Sequence, residues 1–259
     1  MRSSMIKIAK YVLYDILRNR FVMLYTLFLL LVTLSMFSLD TDPGKSTLSL
    51  LNIILLVVPL VSIIFTTIHF FNSYEFIELL LAQPVNRKTI YFAEYFSISL
   101  ALSAAYLIGV ALPLLIFNFN DSAIYLIIAG LLLTFVFVAL AFGASVSTRD
   151  KAKAIGVALL FWFYFSLIYD GFILYIIYSF SEYPLDKITL LLVSLNPIDL
   201  ARIIILLKLD LSALMGYTGA FYKNFFGSNL GIIYSFFFLI IWILVPLLLA
   251  MRRFVKKDI

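Results

Sequence analysis

The sequence predicts an all-α membrane protein with six transmembrane helices, and two observations support this fold class. The first is composition, because 64% of the 259 residues are hydrophobic and only 13% are charged, whereas soluble chains carry about 25% charged residues. The second is the length of the charge-free stretches, which cover residues 21–39, 95–119, 122–148 and 224–251. A helix needs roughly 20 apolar residues to cross the hydrocarbon core of a bilayer. The chain is therefore expected to have no water-soluble domain.

The predicted spans form a single transmembrane domain over residues 1–259. Turn sequences separate them, such as Asp-Thr-Asp-Pro-Gly at 40–44 and Thr-Arg-Asp-Lys at 148–151. The six predicted spans are residues 21–39, 48–71, 91–119, 122–148, 154–181 and 230–251.

The distribution of Lys and Arg predicts the orientation of these spans. If the N-terminus lies in the cytoplasm, fourteen of the nineteen Lys and Arg residues fall on the cytoplasmic side. Cytoplasmic loops and tails of membrane proteins are enriched in these residues, so both termini are expected in the cytoplasm. The net charge of +5 is then a signal of topology, and no nucleic-acid partner is expected.

Residues 5–20 are predicted to form a basic amphipathic helix in the inner headgroup layer, in contact with membrane lipids. At 100° per residue, one face is apolar and the opposite face is largely charged. The alternative is a solvated cap on a long first helix. The apolar face holds Met5, Ala9, Val12, Leu13 and Ile16, and the opposite face holds Lys7, Lys10, Tyr14, Asp15 and Arg18, with Arg20 at the end.

Residues 188–229 are predicted to form outer-side helices before the last span. Asn196, Pro197 and Asp199 fit the N-cap, first and third positions of a helix, which would run to about residue 209. A second apolar stretch covers residues 211–222. Neither is long enough to cross the bilayer, so both are expected on the outer surface or as re-entrant helices. The alternative, a seventh crossing, would put the basic C-terminus outside.

The sequence contains no recognisable catalytic or metal-binding pattern, and no enzyme activity is expected. There is no Cys and only one His, His69, so thiolate metal sites and paired histidines are absent from one chain. No glycine-rich phosphate loop is present. His69, near the inner end of the second span, is expected to be an interfacial anchor, since no second nitrogen or thiolate is available to share a metal.

Asp170 is the one acid deep within a predicted span. A charge at the centre of a membrane helix costs about 2.5–3.5 kcal/mol on insertion scales. Asp170 lies towards the outer end of its span, where this cost falls. It is interpreted either as a structural acid paired with Tyr169 or an outer-side base, or as part of an outer gate.

Residues 75–87 are predicted to form a short cytoplasmic helix between the second and third spans. Phe76, Ile77, Leu80 and Leu81 would form its apolar face, and Pro84 would end it before a basic turn. Acidic and leucine side chains would then be available to a partner. The alternative is a simple interfacial turn whose Arg87 and Lys88 contact anionic lipid.

The segment 78–87, Glu-Leu-Leu-Leu-Ala-Gln-Pro-Val-Asn-Arg, resembles the coupling helix of ABC-2 type transporter permeases. Lys10, Asp15, Arg18, Asn19 and Arg20 are similar to the basic entry helix of that family, and the resemblance in layout covers the whole chain. Glu75-Phe76 and Ala93-Glu94 depart from the usual Gly-Thr and Gly-Lys.

The resemblance implies a subunit without a cofactor of its own, which pairs with a second copy of itself and with two copies of an ABC ATPase that bind ATP and Mg²⁺. It also implies a multi-pass protein of the bacterial cytoplasmic membrane. The residues that it implies at the ATPase contact are Glu75, Phe76, Glu78, Leu79, Leu80, Gln83, Pro84 and Arg87.

The outer segment further resembles the permease of the system that matures the copper site of nitrous oxide reductase. The similarity lies in Asn196-Pro-Ile-Asp, Arg202 and residues 210–219. It implies a periplasmic maturation protein as a partner. It also implies that Asp170, Asn196, Asp199 and Arg202 contribute to an outer gate or partner contact. The lack of Cys and the single His argue against copper binding by this chain itself.

Three other functions are weighed against this one. An ABC-2 exporter of a lipid, drug or peptide would have the same layout. A self-contained secondary transporter should show inverted repeats, broken helices and several buried charges; Pro59 and Pro113 are expected to break the second and third spans, but Asp170 is the one deep charge. An intramembrane enzyme lacks catalytic groups.

Overall fold

The structure is a computed structural model that describes residues 2–39, 43–117, 119–180, 186–208 and 229–256. Within these ranges the regular elements are all helical. Six helical stretches are long and apolar enough to cross a membrane, and their ends lie a few residues from the predicted ones. These spans are Arg20–Leu39, Gly44–Asn72, Arg87–Phe117, Asp121–Ser147, Lys151–Ser179 and Gly231–Lys256.

The helices are numbered along the described chain, and the third and fifth spans each contain a π-helical turn, at Leu107–Ala111 and Tyr164–Ile168. The helices are α1 (Arg2–Leu17), α2 (Arg20–Leu39), α3 (Pro43–Asn72), α4 (Tyr74–Leu81), α5 (Arg87–Tyr106), α6 (Leu112–Phe117), α7 (Asp121–Ser147), α8 (Lys151–Phe163), α9 (Tyr169–Ser179), α10 (Asp186–Ser194), α11 (Pro197–Lys208) and α12 (Asn229–Lys256).

The fourth span, α7, forms the centre of the bundle. It packs against α3 and α12 along much of its length and also against α5, α8 and α11. The second, third and fourth spans bury half or more of their residues inside the protein, whereas the first, fifth and sixth bury less than a quarter. Phe142 of α7 packs edge-on against the rings of Phe70, Tyr91 and Tyr95. The core therefore joins α3, α5 and α7.

The N-terminal helix α1 packs along α5 with the predicted face. Val12 and Ile16 are buried, while Lys7 and Lys10 are exposed. The hydroxyl of Ser97 donates to the carbonyl of Ala9 at 2.9 Å. The position of α1 relative to lipid headgroups stays a prediction.

The bounds of α1 correct the predicted helix 5–20, since α1 ends at Leu17 and Arg20 is the first residue of α2. The break lies at Asn19, whose side-chain oxygen accepts a hydrogen bond from the backbone N–H of Phe21 at 2.9 Å. This bond supplies a partner for one N–H at the start of α2, where no helical carbonyl is available.

Pro59 in the second span and Pro113 in the third span are each expected to break their helix, and the structure differs between them. Helix α3 continues from Pro43 to Asn72 through Pro59, so the predicted break at Pro59 is wrong. Pro113 follows a π-helical turn, which ends at Ala111. Proline removes one N–H from the helical ladder, and helices commonly accommodate such a defect by a local change of winding.

Helices α10 and α11 form a short hairpin that reaches the middle of the bundle. The side-chain amide of Asn196, between the two helices, donates to the carbonyl of Phe165 at 3.0 Å, and Phe165 is the central residue of the span Lys151–Ser179. The indole of Trp242, near the middle of the sixth span, donates to the carbonyl of Ser194 at 3.0 Å. The tip of the hairpin therefore lies at the mid-level of the fifth and sixth spans, and its position relative to the bilayer stays a prediction.

The two helices of this hairpin have 9 and 12 residues, so neither forms a seventh crossing. The second predicted apolar stretch, residues 211–222, lies outside the described residues. We call the end of the bundle that carries α4 the α4 face, and the other end the hairpin face.

Two glycines allow close contacts between spans. A Cβ at Gly109 would lie 2.7 Å from the Cβ of Leu29 and 2.9 Å from the carbonyl of Thr26, so the third span approaches the first directly. A Cβ at Gly130 would overlap the ring of Tyr106, whose hydroxyl donates to the carbonyl of Leu126 at 3.0 Å. Gly130 therefore provides the space for a buried tyrosine.

We expect Gly130→Ala to destabilise the protein because Tyr106 must move from its site. Overpacking of this kind costs about 1–3 kcal/mol, and loss of the tyrosine hydrogen bond adds about 1 kcal/mol. The measurement is the thermal unfolding midpoint of the purified protein in detergent. Gly143→Ala, in the same helix with nothing within 4 Å of the added Cβ, is the matched control and should not lower the midpoint. Equal midpoints for the two variants would contradict the packing argument.

Candidate functional site

The short helix α4 has one face packed on the bundle and one face exposed. Ile77 and Leu80 are buried, and the ring of Phe76 stacks on Tyr11 of α1 with the ring centres 5.6 Å apart. Glu75, Glu78 and Leu79 are exposed, Leu79 by 67%. Of the residues expected at a partner contact, the structure therefore places Phe76 and Leu80 on the anchoring face.

The observed α4 is shorter than the predicted helix 75–87. It ends at Leu81, and the backbone N–H groups of Ala82 and Gln83 donate to the carbonyls of Glu78 and Leu80. Gln83 and Pro84 form an exposed turn. The helix stops early because proline disfavours helical geometry in the residue before it.

Arg87, predicted at the end of the coupling helix, is instead the first residue of α5. Asn86 caps this helix by accepting the N–H of Lys88 at 2.9 Å. Asn86 thus fixes where the third span begins.

Long-range hydrogen bonds tie the surroundings of α4 to the ends of the fifth and sixth spans. The guanidinium of Arg87 donates to the carbonyl of Val255, near the end of α12, at 3.3 Å. The amine of Lys151, the first residue of α8, donates to the side chain of Asn72, the last residue of α3, at 2.8 Å. Arg87 is half-buried, so it binds within the protein instead of extending from the surface.

A buried contact between a histidine and a glutamate lies close to the start of α4. His69 of α3 and Glu94 of α5 approach to 3.7 Å between Nε2 and Oε2, and their side chains are 8% and 2% exposed. The His69 ring also stacks on Phe65, and its Nε2 is 3.2 Å from the hydroxyl of Ser73, which precedes α4. The expectation that His69 is an interfacial anchor is therefore wrong. The pair joins the two spans on either side of α4.

Sequence reasoning missed Glu94 as a functional candidate and noted it only as a departure from a family pattern. Its two oxygens are buried, and neither has a hydrogen-bond partner among the described residues. A signal was available, because Glu94 lies inside the predicted span 91–119, and an ionisable residue within a span is a functional candidate by default.

The hairpin face carries a second polar cluster, which brings together the four residues expected at an outer gate or partner contact. The guanidinium of Arg202 donates to Asp170 at 2.7 Å and to Asp199 at 3.1 Å. Asn196 caps α11 by accepting the N–H of Ile198 at 3.0 Å, and its amide donates to Asp199 at 2.9 Å.

Asp170 is thus paired with Arg202 of the hairpin and not with Tyr169. The hydroxyl of Tyr169 donates to the carbonyl of Leu192 at 2.6 Å. The cluster connects the fifth span to α11 through charged hydrogen bonds, which are stronger than neutral ones.

The carboxyl of Asp199 is nearly buried, and burial raises its pKa to about 7. The neighbouring Asp170 contributes to this rise in pKa, whereas Arg202 and the bond from Asn196 oppose it. Burial of a charge without water is costly, so the neutral form of Asp199 is favoured.

Comparison with known protein families identifies the family of this chain. The family described as ABC-2 family transporter protein matches residues 6–259. The chain belongs to this family. A comparison with curated proteins gave no match.

Membership in the ABC-2 family assigns the general role of the chain. ABC-2 proteins are the membrane components of ABC transporters, so this chain is a transmembrane permease that works with an ABC ATPase. Such permeases are generally not enzymes themselves. The six spans agree with a multi-pass membrane protein of this family.

We expect the stability of the ABC-2 permease to depend on pH through Asp199. Its folded pKa is raised, so between about pH 4 and 7 the folded state binds more protons than the unfolded state, and stability falls as the pH rises. Asp199→Asn imitates the neutral acid. The unfolding midpoint of this variant should equal that of the wild type below about pH 4 and should be higher than that of the wild type above about pH 7.

The measurement is the thermal midpoint of each purified protein across this pH range. Asp15→Asn, which removes an exposed carboxylate on α1, is the control and should follow the wild-type pH profile. An Asp199→Asn profile parallel to that of the wild type would show that another group causes the pH dependence.

Proposed function

We propose that this permease receives the motion of a separate ABC ATPase through α4 and transmits it to the second and third spans. The observation that supports this proposal is the position of α4. It lies between α3 and α5 in the chain, buries Ile77 and Leu80 in the bundle, and presents Glu75, Glu78 and Leu79 outward. An exposed leucine with two acids on the same face suits a helix seated in a groove of a partner.

The contacts around α4 give this motion a route into the bundle. His69 and Glu94 link the spans on its two sides, and Arg87 links the start of the third span to the end of the sixth. A displacement of α4 would therefore move several spans together. In this proposal ATP and Mg²⁺ bind to the partner ATPase, and the permease alone hydrolyses no ATP.

We further propose an assembly of two permease copies with two ATPase subunits in the bacterial cytoplasmic membrane, with the α4 face in the cytoplasm. The excess of Lys and Arg on that side of the predicted topology supports the orientation. The first, fifth and sixth spans bury less than a quarter of their residues in the single chain, which leaves apolar surface for lipid or for a second copy.

As its specific role, we propose maturation of the copper site of nitrous oxide reductase, with a periplasmic maturation protein bound at the hairpin face. The support is the resemblance of residues 196–202, which include the polar cluster of Asn196, Asp199 and Arg202. The test is the copper content of the reductase in cells that lack this permease. Full copper loading without it would favour an exporter of another cargo.

We expect the double variant Glu78→Lys/Leu79→Asp to release the ATPase. It replaces an acid and an apolar side chain at the centre of the exposed face, where interface substitutions weaken binding most. Affinity should fall by at least about tenfold, while membrane insertion and the unfolding midpoint of the permease stay unchanged. Co-purification of the ATPase with the tagged permease is the measurement.

The matched control is Asp121→Lys/Phe119→Asp on the hairpin face. It makes the same change in charge at two exposed residues and should retain the ATPase. If both double variants retain the ATPase at full yield, α4 is not the contact, and the turn at residues 82–88 is better described as a lipid-binding turn.

The orientation is tested with single cysteines, since the chain has none of its own. Lys45→Cys lies near the hairpin-face end of α3 and Lys256→Cys at the α4-face end of α12, and both positions are exposed. In intact cells an impermeant thiol reagent should label Lys45→Cys, and Lys256→Cys only after permeabilisation. The opposite pattern would place α4 away from any cytoplasmic ATPase.

A further inference from the structure

A basic cavity opens on the α4 face between the ends of the fourth and sixth spans, and none of its lining residues belongs to α4. Its volume is about 570 Å³. Four cationic side chains line it: Arg149, Arg252, Arg253 and Lys256. Val146 and Leu249 form an apolar wall, and the hydroxyl of Ser147 accepts a hydrogen bond from Arg253 at 2.5 Å.

The positive charge of this cavity is not balanced by the described residues around it. No carboxylate is among the described residues that line it. The adjacent Asp150 caps α8 by accepting the N–H of Lys153 at 2.8 Å. With the carboxylate of Asp150 counted, and about half a negative charge from the C-terminus of each of α7 and α12, an excess of about two positive charges remains. The cavity therefore favours an anion.

The shape of the cavity favours an amphiphilic anion over a small soluble one. Leu249 lies seven residues before Lys256 in α12, which corresponds to about 10 Å along the helix. Its side chain is 53% exposed. Headgroup layers are about 5–8 Å deep on each side of the hydrocarbon core. A ligand that contacts both residues would thus extend from the aqueous boundary to the level of the acyl chains.

We propose that this cavity binds the phosphate headgroup of an anionic phospholipid, with Arg149, Arg252 and Lys256 at the headgroup and Leu249 against the start of an acyl chain. Basic sites between transmembrane helices are suited to such headgroups. Arg253 keeps its bond to Ser147 and holds the end of α12 on α7. The bound lipid bridges the same two helix ends.

The test uses the full chain in mixed detergent micelles that contain phosphatidylglycerol and phosphatidylcholine. Lipid that co-purifies with the protein is quantified by mass spectrometry. The wild type should enrich phosphatidylglycerol, and Arg149→Gln/Arg252→Gln should reduce this enrichment by about fivefold for each cation removed. Arg149→Lys/Arg252→Lys keeps the charge and should retain most of the binding.

The matched control is Lys45→Gln, which removes an exposed cation near the hairpin-face end of α3 and should leave the enrichment unchanged. A photoactivatable phosphatidylglycerol gives a readout on the wild type that does not depend on folding of the variants. Its cross-links should fall in residues 146–149 and 249–256.

Three outcomes would overturn the proposal. Equal enrichment in the wild type and in Arg149→Gln/Arg252→Gln, or cross-links confined to other helices, would exclude a lipid site in the cavity. Displacement of phosphatidylglycerol by inorganic phosphate alone would indicate a site for a soluble anion. Loss of ATPase co-purification with unchanged lipid enrichment would indicate a protein contact. The lipid-enrichment and cross-linking outcomes do not depend on whether α4 binds the ATPase.

Discussion

The need to pair every backbone N–H and C=O within the bilayer governs this structure. Helices satisfy these groups internally, and side chains of neighbouring helices make further bonds to some backbone carbonyls. The π-helical turn at Tyr164–Ile168 contains the carbonyl of Phe165, which accepts the amide of Asn196. Trp162 donates to the carbonyl of Leu56 at 3.1 Å, one turn before Pro59.

Buried tyrosines extend this pattern through the core. The hydroxyls of Tyr91, Tyr95 and Tyr106 donate to the carbonyls of Leu247, Phe135 and Leu126 on other helices. Each phenol therefore joins two spans while its ring fills the space between them. In a membrane the apolar surfaces of helices gain little by leaving lipid, so packing and hydrogen bonds of this kind carry much of their association. The same requirement accounts for Gly130, which provides the space for one of these rings.

Much of the fold could be predicted from the sequence because a long charge-free run is compatible with few structures besides a membrane-spanning helix. The apolar face of α1 and the cap at Asn196 follow from local spacing, and both are observed. The exact ends of α4 could not be predicted, since they depend on competition between Pro84 and the cap at Asn86.

The pairing of His69 with Glu94 could not be predicted either. The two residues lie 25 positions apart on different helices, and periodicity describes one helix at a time. The joining of Asp170 to Arg202 is a similar case, although the sequence indicated both residues as candidates for one site.

The bonds of the hairpin of α10 and α11 have a consequence for biogenesis. Asn196 finds its acceptor in the fifth span, which is synthesised earlier, but the carbonyl of Ser194 accepts a donor from Trp242, 48 residues later in the chain. While the ribosome has not yet released the sixth span, that carbonyl lacks its partner. This last bond of the hairpin can therefore form only after the final helix has been synthesised, which makes it one of the latest contacts to form in the nascent chain.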